Sequence, residues 1–299
     1  DQQRQMCLRD SNCTIEIEER TGGDGTVVRE LDEDQLRTAL KSLQGKGIEA
    51  ITVCLINSFA NDQHEQRTRE IVAEVMPGLP ISISSEVIPE LQEYERAITT
   101  VANSYVRPEV EKYISNLQTE FDKQMNGASL SILRSDGGLA TANAAMNFPV
   151  YLLMSGPAGG VSGAIWVGKQ ADINNIITFD MGGTSTDVAL IENGEALVRR
   201  ETTVGDITVR ASALDVRSIG AGGGSIAHVP ELTRALRVGP ESAGAQPGPA
   251  AYDNGGSEPT VTDANVVLGY LPQHQKLGGD MSIRKDLAEQ AVQKVADAM

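Results

Sequence analysis

Residues 1–30 read as strands: 13–19 (CTIEIEE) alternate apolar and polar, and 21–25 (TGGDG) supply the turn that follows. The spacing then changes. Residues 31–43 open on acids, carry apolar residues at helical intervals and stop near Gly45 and Gly47, which predicts a helix. A continuous apolar run at 50–56 (AITVCLI) is that of a buried strand. Asn61 or Asp62 is placed to cap a helix through Met76, and 80–84 reads as another strand. Residues 90–121 read as largely helical with a break at Pro108, followed by a strand at 130–134 that ends in Ser135-Asp136-Gly137-Gly138. The segment 155–160 (SGPAGG) leads into small residues through Ala164, a helix that packs closely or lets a ligand come close. Residues 239–260 form a long Gly/Pro/Ala loop of the kind that is functional or disordered inside a compact domain. Thr262 or Asp263 caps a short helix through Leu268, and a last helix covers 285–298. Alternating strands and helices predict α/β architecture around a mainly buried sheet.

The stretch 176–191 (IITFDMGGTSTDVALI) carries the chemistry. Ile176, Ile177, Thr178 and Phe179 predict a buried strand that Asp180 ends, and Val188 to Ile191 resume one. Between them Gly182 and Gly183 turn the chain, with Thr184, Ser185, Thr186 and Asp187 completing a polar tip. A Gly-Gly pair between two strands is most often only a hairpin turn. The full D-x-G-G-T-x-T-D spacing adds a second reading. Glycines let backbone approach a phosphate, hydroxyls donate to its oxygens, and two carboxylates would repel a bare phosphate unless a divalent cation such as Mg²⁺ intervened.

Composition narrows the classes. The 299 residues suffice for about two domains, and the hydrophobic share is 40%. A net charge of −16 disfavours nonspecific binding to nucleic acid or anionic membranes, so neither is an expected partner. No apolar run approaches membrane-spanning length, and the first residues do not read as a signal peptide. Cys7, Cys13 and Cys54 make no metal pattern and suit a reducing cytoplasm; Cys7 and Cys13 are near enough in sequence to pair, or are buried or idle thiols.

Other candidates are weaker. Gly220-Ala221-Gly222-Gly223-Gly224-Ser225 nearly matches a dinucleotide fingerprint, but Pro230 follows early and the segment is too short for a βαβ unit. It is either a flexible turn or a glycine-rich loop beside a nucleotide. Arg96, Thr100 and Asn103 share a helix face that binds a substrate or partner, or is solvated, or makes helix-to-loop hydrogen bonds. His64, His228 and His274 have no zinc spacing and default to the surface. Walker A, G-x-S-x-G and S-x-x-K at a helix start are absent.

Taken together, segments 84–108, 152–164 (LLMSGPAGGVSGA), 179–191 (FDMGGTSTDVALI), 218–229 (SIGAGGGSIAHV), 237–252 and 259–272 resemble the hydantoinase A / 5-oxoprolinase family. That family includes A subunits of ATP-dependent N-methylhydantoinases and lactamases, and related subunits of acetone and acetophenone carboxylases. The resemblance implies the two-lobed actin, sugar-kinase and heat-shock-chaperone ATPase fold, here incomplete, with 1–171 in the first lobe and 172–299 in the second. It implies that Asp180 orders Mg²⁺ and its waters and that Gly182 and Gly183 offer amides to the phosphates of ATP. By the same resemblance Thr184 and Thr186 bond phosphate oxygens, with Ser185 beside them. Asp187 assists the metal or the attacking group, and Gly222, Gly223 and Gly224 line the nucleotide cleft. Family members carry an earlier D-x-G-G-T-x-T-D hairpin and a later G-G-A-G-P-L-H segment, neither of which occurs in this sequence. A fragment, inactive alone, is therefore expected.

The function so implied is ATP-dependent hydrolysis of a cyclic amide, with phosphorylation of the amide carbonyl oxygen before water opens the ring. The implied partner is a hydantoinase B-type subunit or domain, in an oligomer when full length. Two alternatives stay open: an ATPase subunit of an acetone- or acetophenone-type carboxylase, and a non-catalytic nucleotide-binding module.

Overall fold

In a computed structural model of the chain, the structure describes residues 13–125, 129–272, 274 and 276–299, so Cys7 lies outside the described residues. The chain divides into two compact units, Asp1–Gly159 with Val198–Leu214, and Gly160–Leu197 with Asp215–Met299.

The first unit starts with the hairpin β1 (Arg20–Thr21) and β2 (Val27–Arg29). Residues 14–19 form no ladder; their alternation instead sets Ile15 and Ile17 against the core cluster of Leu36, Leu40, Leu43, Ile71 and Val72. Helix α1 (Glu33–Lys41) supplies Leu36 and Leu40 at i, i+4, and Asp32 caps it by accepting from the Gln35 amide at 2.9 Å. Each such buried aliphatic side chain contributes roughly 1.5–3 kcal/mol. The apolar run at 50–56 yields only the short β3 (Ile51–Val53). After α2 (Gln63–Val75) comes β4 (Ile81–Ile83), which pairs parallel with β3. The one-turn α3 (Ser84–Val87) precedes α4 (Glu93–Gln124).

Pro108 does not break α4, which runs 32 residues through it. A proline removes one intrahelical donor and crowds the turn before it, and anchors along α4 hold the helix against that cost: Ser104 accepts from the Thr52 hydroxyl at 2.7 Å, and Arg107 donates to the Ile81 carbonyl at 2.6 Å. The unit continues through the hairpin β5 (Ser131–Leu133) and β6 (Leu139–Thr141) to α5 (Ala142–Asn147).

His64, expected at the surface, is buried: Nδ1 lies 2.8 Å from a Glu19 carboxylate oxygen, tying α2 to the segment before β1. His needs such a partner to be buried without loss, and the glutamate is distant in sequence.

Helix α6 (Ser155–Gln170) follows, then β7 (Ile176–Met181), β8 (Thr186–Glu192) and β9 (Glu195–Ala196) in the second unit. Next come β10 (Val198–Arg199), β11 (Thr202–Val204), β12 (Ile207–Val209) and β13 (Ala213–Leu214), which belong to the first unit; there β10 pairs β13, and β11 pairs β12. The second unit resumes with β14 (Val216–Ile219), β15 (Ser225–His228) and β16 (Arg237–Ser242), then α7 (Val261–Val267) and α8 (Lys285–Ala298).

Its central sheet runs β14–β8–β7, all antiparallel, with β9 also on β8. The strand expected to be buried at 176–179 pairs, among the described residues, with β8 alone, and Ile177 and Phe179 are exposed; β8, which has neighbours on both sides, holds the buried Ala189 and Ile191. Strand β16 takes the first residues of the expected 239–260 loop by pairing with β15. The cap of α7 is Thr260, not Thr262 or Asp263. Asp263 stands three residues into a capping box, where its carboxylate reaches back to the Thr260 amide at 2.9 Å. Ala251, Val266, Ile283 and Ala288 form the core beneath. Among the described residues no helix is long and apolar enough to cross a membrane.

Candidate functional site

The β7–β8 hairpin brings its two acids together. Asp180 and Asp187 are direct cross-strand partners, and the ladder closes one step later at Met181 and Thr186, leaving Gly182, Gly183, Thr184 and Ser185 as the tip. The Gly182 amide donates to the Ser185 carbonyl at 2.8 Å and fixes the turn. Asp180, Gly182, Gly183 and Thr184 are exposed, while Ser185 and Asp187 are half-buried. Two like charges directly opposite on a ladder are destabilising, and a bound cation relieves that cost.

A second loop supports the tip. The amide of Gly223 donates to the Gly182 carbonyl at 2.9 Å and that of Gly224 to the Gly183 carbonyl at 2.6 Å. This approach demands residues without side chains: a β-carbon built on Gly222 would lie 2.7 Å from backbone atoms of Gly183 and Thr184. One on Gly223 would lie 2.7 Å from the Thr262 hydroxyl. So Gly222, Gly223 and Gly224 pack under the tip rather than presenting a free glycine run. Thr186 belongs to the same support, because it is buried and its hydroxyl donates to the Ala221 carbonyl at 2.5 Å. Above the tip the situation reverses. A β-carbon on Gly183 would meet nothing within 4 Å, and one on Gly160 would come 3.7 Å from Asp180 Oδ2.

That geometry fits a phosphate held with Mg²⁺. Mg²⁺ keeps several waters and takes only one or two carboxylates plus substrate phosphates. Asp180 and Asp187 are such a pair, and no larger His/Cys/Asp/Glu group able to hold a metal exists among the described residues.

Two contributors to the site were not singled out from the sequence. Ser218, opposite Asp187 on β14, donates its hydroxyl to Asp187 Oδ1. Asp263, fully buried, accepts from the Ala251 amide at 2.7 Å and the Thr260 hydroxyl at 2.8 Å, and so fixes the helix whose Thr262 amide donates to the Gly223 carbonyl at 2.7 Å. The register of β14 against β8 was the missing signal for the first; the spacing Thr260-x-x-Asp263 signalled the second.

Arg96, Thr100 and Asn103 lie in the first unit. They do share a face of α4, and it is fully buried. Arg96 Nη2 donates to the Leu55 carbonyl at 2.6 Å and pairs with Glu93, and its guanidinium lies 5.5 Å from the Phe59 ring centre. The Thr100 hydroxyl donates to the Arg96 carbonyl at 2.7 Å. Asn103 donates to the Ser82 hydroxyl and the Asn147 carbonyl, each at 3.0 Å, and accepts from the Val150 amide at 3.2 Å. Two of these bonds lie within α4, and the others tie it to Leu55, β4, the end of α5 and Val150 in the same unit, so the face is structural rather than solvated.

This α/β chain has the actin-like ATPase fold of its solved neighbours, among them nucleotide-free acetone carboxylase, similar at a TM-score of 0.75 and 30% identity over 94% of this chain and 41% of that one. The hydantoinase/oxoprolinase profile matches residues 96–299, and the profile of the family's N-terminal region matches residues 3–76. The chain belongs to the hydantoinase/oxoprolinase family. It is 35% identical over 277 residues to the caprolactamase alpha subunit of Pseudomonas jessenii, covering 92% of this chain and 40% of that one. The solved structure of ATP-dependent caprolactamase from the same organism is similar at a TM-score of 0.73 and 33% identity, over 94% of this chain and 42% of that one. The gamma subunit of acetophenone carboxylase from Aromatoleum aromaticum is 36% identical over 308 residues, covering 100% of this chain and 41% of that subunit. The chain thus spans about two-fifths of the length of these relatives.

Proposed function

We propose that this chain forms part of the ATP site of an ATP-dependent hydrolase of cyclic amides, such as a hydantoin, 5-oxoproline or a lactam. The observation that carries this reading is the Asp180–Asp187 pair flanking an open glycine tip that Gly222, Gly223 and Gly224 hold from below. In this reading Asp180 and Asp187 hold Mg²⁺, which when bound neutralises charge on the phosphates. Gly182 and Gly183 allow the phosphates to approach the backbone, and the exposed Thr184 hydroxyl donates to a phosphate oxygen. Thr186 and the 222–224 loop keep the tip from moving, so less reorganisation is needed when nucleotide binds.

The reaction proposed is transfer of the terminal phosphoryl group of ATP to the amide carbonyl oxygen, which releases ADP. Water then attacks the activated carbon and the C–N bond breaks, the nitrogen taking a proton as the ring opens; a second water hydrolyses the resulting acyl phosphate to carboxylate and phosphate. Unactivated amides resist water, and a phosphorylated oxygen is a far better leaving group. The share of this chain is positioning and charge neutralisation. The second half-reaction is assigned to a B-type partner subunit, in keeping with the subunit names of the relatives. The sparse cysteines support a cytoplasmic setting.

A second reading is favoured by the 36% identity to an acetophenone carboxylase subunit: the same site phosphorylates bicarbonate or an enolisable ketone. ATP hydrolysis by the longer protein with its partner decides between them. Stimulation by a cyclic amide supports the first reading; stimulation only by bicarbonate with a ketone supports the second. ATP turnover indifferent to both overturns the two together.

A further inference from the structure

Asp180, Asp187 and Ser218 lie in one row across three strands, since Asp187 of β8 is the cross-strand partner of Asp180 on β7 and of Ser218 on β14. Directly opposed residues on an antiparallel ladder project to the same side of the sheet. The row therefore sets two carboxylates and one hydroxyl side by side on one face. The hydroxyl is committed: Ser218 Oγ donates to Asp187 Oδ1, leaving Oδ2 without a hydrogen bond among the described residues. Ser218 itself is exposed, so this bond is not a by-product of core packing. Its neighbours along β14 do not duplicate it, because Arg217 and Ile219 alternate to the other face opposite Val188 and Thr186.

From this we infer that Ser218 is a positioning residue for the metal–nucleotide site. Its hydroxyl holds one oxygen of Asp187 across the β8–β14 ladder and thereby sets the other oxygen for the cation. A carboxylate on an exposed strand otherwise rotates about its χ angles, and with Asp180 directly opposite, the two charges push each other toward diverging rotamers. A hydroxyl donor on the far side of Asp187 opposes that drift with a bond to a charged acceptor, among the stronger hydrogen bonds a side chain makes. The inference rests on the nucleotide reading above and goes beyond it by assigning a residue outside the D-x-G-G-T-x-T-D segment.

The test is calorimetric titration of ATP into the 299-residue chain at a series of Mg²⁺ concentrations and with chelator, for wild type, Ser218→Ala and Ser218→Thr, with thermal melting of each. The expected result is that Ser218→Ala raises the Mg²⁺ concentration needed for half-maximal ATP binding about tenfold. Chelator-treated binding and melting temperature stay at wild-type values, and Ser218→Thr, which keeps the hydroxyl, stays within about threefold. An Ala variant with wild-type Mg²⁺ dependence overturns the assignment while leaving the nucleotide reading intact. So does equal weakening with and without Mg²⁺ alongside a lowered melting temperature, because that is the signature of a purely structural serine. No ATP binding by wild type at any Mg²⁺ concentration, in this chain and in the longer protein alike, overturns the nucleotide reading and this assignment with it.

Discussion

Gly222 lies so close to Gly183 that a β-carbon built on it would sit 2.7 Å from the Gly183 carbonyl carbon. The two glycines therefore have opposite tolerances, although both belong to glycine runs. Gly222→Ala forces backbone apart and is expected to destabilise the chain by about 1–3 kcal/mol in denaturant unfolding. Gly183→Ala meets open space and is expected to change stability by less than about 0.5 kcal/mol. Its methyl group occupies the space over the tip, so nucleotide binding is lost without loss of fold. Equal stability of the two variants would contradict the supported-tip geometry.

Asp263→Asn tests the anchor under that loop. The carboxylate is fully buried and accepts from the amides of Ala250, Ala251 and Thr260 and from the Thr260 hydroxyl. An amide keeps one acceptor oxygen and turns an NH₂ toward donors. A loss of about 2–4 kcal/mol is expected by denaturant unfolding.

Arg96 is expected to matter for stability. It is fully buried, and its removal empties that space, takes the guanidinium donor from the Leu55 carbonyl and leaves Glu93 with the Asn57 amide alone. Arg96→Ala is predicted to cost roughly 2–4 kcal/mol, through the cavity and the lost hydrogen bond, measured by thermal or denaturant unfolding. A variant that melts like wild type would restore the case for a binding face.

Cys54 gives a pH-dependent check on the first unit. Burial pushes its thiol above the ordinary range, a shift that Ser84 and Arg96 beside it partly oppose. The folded state therefore favours the protonated thiol. Its contribution to stability is complete below the unfolded-state pKa and is lost as pH rises through the folded-state pKa. Alkylation of Cys54 followed by peptide mass spectrometry at pH 8 should be slow in the native chain and fast in denaturant. Fast native alkylation would contradict the burial.

The sequence made the hairpin legible because a glycine pair in a short polar stretch between two β-branched runs leaves few alternatives for 176–191. It also made α1 and its Asp32 start legible, through acids followed by leucines at i, i+4. What it hid depended on long-range pairing. Phe179 reads as buried, but burial of a strand is decided by its neighbours, and among the described residues β7 pairs with β8 alone. His64 reads as a surface residue because its partner Glu19 stands 45 positions away. Arg96, Thr100 and Asn103 were correctly placed on one face, but helical spacing does not say what covers that face. Ser218 needed the β8–β14 register, which no local pattern carries.

The most direct test of the central claim is calorimetric titration of ATP with Mg²⁺ into this 299-residue chain and its Asp180→Ala variant. The account predicts measurable binding by wild type that disappears in the variant while the melting temperature is retained. Wild-type binding that survives Asp180→Ala, or no binding by wild type in this chain and in the longer protein alike, would contradict the assignment of the 180–187 hairpin as the phosphate site.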